Sequence, residues 1–167
     1  MRFLIANGPM QTTAAFAAVT TGTAIKTMLQ VKPFVPVRIL EWGISFDGSA
    51  AATPGKVELI ETGTVFGTVT ASADADITKL DVVGDAVAAS VAGLTLGTSA
   101  TGYTCTAEGT ITAVRNLDAP QFIAPTTQYN KQIPLGERPL IQVANAARIR
   151  VTFAAAVNCY CYMILEM

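Results

Sequence analysis

The chain has 167 residues, 51% of them hydrophobic and only 14% charged, with 11 Lys plus Arg against 12 Asp plus Glu and no histidine. A chain of this length folds as one domain around one core. The even charge balance leaves no cationic excess for a phosphate backbone, and no stretch approaches the ~18 continuous apolar residues of a membrane-spanning helix. Ordinary globular chains carry about 25% charged residues, so this surface is built from uncharged polar groups or is covered by partners. A formal net charge of -1 offers little defence against association and favours an obligate assembly.

Along the chain, Arg2 followed by Phe3-Leu4-Ile5-Ala6 opens like a signal peptide, but Asn7-Gly8-Pro9 ends the apolar run, so an unprocessed N-terminus is expected. Residues 1–23 are rich in Ala and Thr without helix caps or periodicity, which predicts an extended arm or a loose first strand. Residues 24–31 alternate as a strand, and Pro33 and Pro36 bar a helix interior after it. Residues 37–62 read as two strands. Leu40, Trp42, Ile44 and Phe46 fall on every second position, so they are expected to anchor the core from one face. After the turn signals Asp47-Gly48 and Pro54-Gly55, Val57 and Leu59 alternate with Lys56 and Glu58.

Residues 63–71 are β-branched with two glycines, a strand with a bend or bulge. In residues 74–102 the signal weakens. Val82, Val83, Val87 and Val91 are spaced for a helical turn or two, and a long surface excursion is the other reading. Strand grammar returns over 103–115, 121–125, 128–134, 139–143 and 148–153, cut by prolines and Gly136. In the last segment, 159–166, Tyr160, Tyr162 and Ile164 alternate with Cys159, Cys161, Met163 and Leu165, so both faces are apolar, as in a strand buried on two sides. About eight to ten short strands without βα alternation predict an all-β fold, an antiparallel β-sandwich with jelly-roll-like wrapping, as a single domain over 24–167.

Reaction chemistry is scarce. Without histidine the commonest general base is missing. Glu58 and Glu61 are expected on opposite faces of one strand and Glu41 beside Trp42, all solvated and none converging as a carboxylate pair. Arg148 and Arg150 share a face that reads as an exposed polar one. Asp74, Asp76, Asp81 and Asp85 form an acidic group without the order of a calcium loop. Cys105, Cys159 and Cys161 are an odd number, the last two spaced C-x-C, and read as buried free thiols suited to a reducing cytoplasm. No catalytic residue, cofactor or metal is expected, and the chain reads as a non-enzyme.

The string EWGISFDGSAAATPGKVELIETG, with the late AAVN turn leading into an alternating terminal strand that ends in Leu165-Glu166, resembles small capsid-associated proteins of tailed bacteriophages. The likeness covers about residues 37–66 and 148–167, and the middle third departs from it. It implies a β-rich decoration or cement protein, commonly a homotrimer, made in the host cytoplasm. Such a protein binds the outside of the head and reinforces junctions between major capsid subunits. In that setting Tyr160, Tyr162 and Ile164 are the candidates for the subunit interface. The alternative, from another class, is a carbohydrate-binding sandwich for host-surface adhesion, in which Trp42 or a surface tyrosine stacks on a sugar. Trp42 shares its face with Leu40, Ile44 and Phe46, which favours core packing for it.

Overall fold

The computed structural model describes residues 1–11, 13, 15, 17–49, 53–81 and 88–167. Strands dominate it. In chain order they are β1 Arg2–Ala6, β2 Val19–Thr20, β3 Lys26–Val31, β4 Val37–Asp47, β5 Gly55–Thr62, β6 Thr68–Ala71 and β7 Thr78–Lys79. The second half adds β8 Gly102–Ala107, β9 Ala113–Asn116, β10 Gln121–Ile123, β11 Gln128–Gln132, β12 Leu140–Ile141, β13 Ala146–Thr152 and β14 Asn158–Glu166. One short helix, α1 Ala89–Ala92, ends on Gly93 at φ 68°, a left-handed cap that a Cβ would disfavour.

Two antiparallel sheets pack face to face, so the chain is an all-β sandwich. The first runs β11-β4-β14-β1-β7, with β12 also along β4 and β2 along β14; the second runs β10-β5-β13-β3-β8-β6, with β9 also along β5. The chain crosses between sheets from β3 to β4, from β4 to β5, and again from β13 to β14, which is the jelly-roll manner of wrapping. It then departs from that manner, because β6 and β8 pair with each other beyond β3 and extend the second sheet. The 14 described strands exceed the expected eight to ten because β1 and β2 form within the expected arm, β7 forms within the 74–102 excursion, and one segment read as a single strand is split. Residues 103–115 become β8 and β9, with Gly109 at φ 71° between them. Of residues 63–71 only β6 is a strand.

The core lies between the sheets, and alternation sends its side chains there. Phe3 and Ile5 of β1, Leu29 and Val31 of β3, Val57 and Leu59 of β5, Ile149 and Val151 of β13 and Cys161 and Met163 of β14 are all fully buried. On β4 the expected phase holds only in part. The β4–β14 register slips between Ile164 and Leu165, pairing them with Glu41 and Ile39, so Leu40 is the extra residue of a bulge. Trp42, Ile44 and Phe46 join the core cluster as expected; Leu40 is buried but stands outside it, and Val37 and Ile39 occupy the core face in its place. Phe46 meets Phe153 edge-on at 4.9 Å.

The first strand is not a loose arm. β1 pairs with β14 through all five residues and with β7 on its other side, and Phe3 is fully buried. Of the expected arm, residues 9–11 and 17–18 are exposed. The 74–102 excursion is anchored at both ends: Ile77 and Leu94 reach the core and β7 joins the first sheet. The helix expected through Val82, Val83 and Val87 falls outside the described residues, apart from α1, which holds the exposed Val91.

The outer face of the second sheet also differs from expectation. Arg148 is fully buried rather than solvated. Its Nη2 donates to Val65 O at 2.7 Å and its Nη1 lies 3.4 Å from Glu108 Oε2. Gln30, also buried, donates to Gly67 O and Ala100 O and accepts from Gly67 N–H at 2.9 Å. Residues 63–67 are thus strapped across the sheet, which is why they leave the strand ladder.

Candidate functional site

The opposite face, the outer side of the first sheet, holds the side chains singled out on the last strand. Cross-strand partners share a face, so the register lays it out in rows. One row is Gln132, Glu41, Ile164, Leu4 and Thr78; the next is Asn130, Gly43, Tyr162 and Ala6; the next is Gln128, Ser45 and Tyr160. Tyr160, Tyr162 and Ile164 are half-buried here, while Cys159, Cys161, Met163 and Leu165 fill the core on the other side. The strand is apolar on both faces, and Glu41 is the only charged residue in these three rows.

The tyrosines are held in place. A Cβ on Gly43 would lie 2.6 Å from Tyr162 Cε1, so the ring lies over a glycine floor on β4. Its hydroxyl donates to Glu41 Oε1 at 2.5 Å. Burial first, and then that carboxylate, push the phenol up to about 12. Tyr160 stacks on Tyr162 with centroids 6.0 Å apart, and burial raises its phenol as well.

Three hollows open around Tyr160 and its cross-strand partner Ser45, with volumes of about 430, 320 and 200 Å³. The largest has an apolar floor and wall from Leu4, Ala6, Pro9 and Met10, with Gln11, Asp76 and Thr78 as its polar members. Met10 is fixed by its N–H on Asp76 Oδ1 at 3.0 Å.

The carboxylates do not converge. Glu58 is buried between Lys56 at 2.7 Å and Arg150 at 3.0 Å rather than solvated. Burial alone would raise its pKa, but those cations outweigh it and hold the carboxyl below the usual range. Glu61, buried too, accepts from Asn145 Nδ2 at 2.7 Å and pairs with Arg115. Of the acidic group, Asp74 accepts from Ala89 N–H, Asp76 from Met10 and Ala73 N–H, and Asp81 binds Arg2; Asp85 lies outside the described residues. Among the described residues no cluster of three or more Cys, Asp or Glu is arranged to hold a metal ion, and no helix is long and apolar enough to cross a membrane. The three cysteines are free and buried; burial pushes the Cys159 thiol up to about 12 and Cys105 to about 11.

One constellation escaped the sequence reading. Asp118, read only as part of a turn, is buried and accepts from Trp42 Nε1 at 3.1 Å, Tyr129 Oη at 2.9 Å, Lys131 Nζ at 2.6 Å and Ala119 N–H at 2.8 Å. The available signal was that a buried indole N–H needs an acceptor. With its partners saturated the carboxylate is a structural hub under the Trp-centred strand. Set against protein-family models, curated proteins and solved structures, the chain matches none of them.

Proposed function

We propose that the chain is a structural, non-enzymatic virion protein, a decoration or cement module that binds the outside of a tailed-phage head. It stabilises the shell through contacts with the major capsid protein and with copies of itself, as a homotrimer, and uses neither nucleic acid nor membrane. The observation that carries this reading is the doubly apolar β14, a central strand whose outer face from Tyr160 to Ile164 carries no charged side chain. Aromatic and branched side chains on a rigid element are what interfaces use. Beyond the Ile164 row the outer face carries Arg38, Glu166 and Arg2, with Arg138 and Asp81 paired to them, and apolar side chains stand again outside that charged row. Leu4 and Ile164 are neighbours before it, and Met1, Leu80 and Met167 are exposed beyond it, where the two termini pair through Met1 N to Met167 O and Met167 N to Met1 O. We assign the assembly contact to this half.

Sedimentation velocity and co-sedimentation with expanded heads of the encoding phage test it. Wild type runs as an oligomer and binds heads. Leu80→Asp, at an exposed position of that half, runs as a monomer, because an unpaired charge in a closed interface costs on the order of 3 to 5 kcal/mol. A wild-type monomer indifferent to heads sinks the reading.

A further inference from the structure

We infer that the Tyr160 end of the same face is a binding site for a neutral oligosaccharide. The three hollows share Tyr160 and Ser45, so they adjoin one another like consecutive subsites for a chain of rings. Two stacked tyrosines stand among them. The electron-rich face of an aromatic ring attracts the C–H face of a pyranose. Around the rings stand Gln11, Gln128, Asn130 and Asn158, primary amides that each donate and accept and so match hydroxyl groups.

Charge narrows the ligand. Among the described residues no Lys or Arg lines any of the three hollows, while Asp47 and Asp76 do, which disfavours phosphorylated, sulfated or carboxylated chains. The backbone narrows it further. β4 and β14 are inner strands with partners on both sides, so no free ladder is offered to an added peptide strand and recognition falls to side chains. The platform is organised beforehand, since Gly43 and Glu41 fix the Tyr162 ring and Asp76 fixes Met10; little ordering remains for the ligand to drive.

An array of neutral and anionic glycans, followed by calorimetry with the strongest neutral oligosaccharide, tests this. The expected result is binding to neutral chains only, a loss of at least tenfold in Tyr160→Ala, a smaller loss in Gln128→Ala, and unchanged binding in Leu80→Asp, which lines none of the three hollows. The last variant separates this site from the assembly reading, so either can fail alone. Absence of neutral hits, hits confined to anionic glycans, or unchanged affinity in Tyr160→Ala overturns the inference. Should Tyr160→Ala not fold, NMR of the wild type decides: the sugar must shift the Tyr160 and Tyr162 ring resonances, and unmoved rings overturn it.

Discussion

Asp118 shows how one side chain fixes a strand. Trp42 is fully buried and its indole N–H must find an acceptor, and the carboxylate that serves it also takes the Tyr129 hydroxyl and the Lys131 ammonium. Burial by itself would raise the Asp118 pKa, but the hydrogen bonds from Lys131, Tyr129, the Ala119 N–H and Trp42 outweigh it, and the group titrates below the usual carboxylate range. A depressed pKa contributes stability that is fully present above the unfolded value, near 4, and is lost as pH falls through the folded value. Asp118→Asn turns amide donors towards existing donors and is expected to cost about 3 kcal/mol at neutral pH. Urea unfolding should show that gap at pH 7 and show it closing as the pH falls through the folded value. A gap that persists unchanged there would mean the carboxylate's charge is not what holds the hub.

At the scale of elements, what was legible in the sequence was whatever period two could show. The Trp42 strand, the β5 alternation and the two apolar faces of β14 were all visible, because a strand writes its facing into every second residue. The bulge at Leu40 was not, since one extra residue inverts the phase without changing composition. Nor was the place of β1, whose partner is at the far end of the chain. Arg2 pairs with Glu166, and five residues before Asn7-Gly8 carry no local sign of that. The candidate site was half legible for the same reason: Tyr160, Tyr162 and Ile164 were found on β14, whereas the hollow beside them needs Leu4 and Thr78 brought in by pairing and Met10 held by Asp76. Close backbone approach is equally silent. A Cβ on Gly102 would sit 2.2 Å from Thr70 O, where β8 meets the edge strand β6. Because the obstacle is backbone, Gly102→Ala should cost on the order of 3 kcal/mol and speed amide exchange at Ser72, whose N–H bonds Thr101 O. Wild-type stability and protection would show that the two strands can part without consequence.

Across the whole molecule, charge is spent inside the fold. Arg2 with Asp81, Lys131 with Asp118, Arg138 with Glu166 and Arg150 with Glu58 are all intrachain pairs, and the three rows from Tyr160 to Ile164 on the outer face of the first sheet present mainly tyrosine, isoleucine, leucine, glycine and amides, with the charged row Arg38, Glu166 and Arg2 beyond them. An assembly closed through Leu4 and Ile164 is then held by apolar burial, which salt does not screen. Raising ionic strength to about 1 M shrinks the screening length to roughly 3 Å and abolishes attraction between exposed charges, while sulfate strengthens apolar burial. The oligomer is therefore expected to keep its sedimentation coefficient from about 0.05 to 1 M NaCl and to dissociate less on dilution in ammonium sulfate. Dissociation by NaCl would place the contact on an ionic rim and move the assembly surface away from β14.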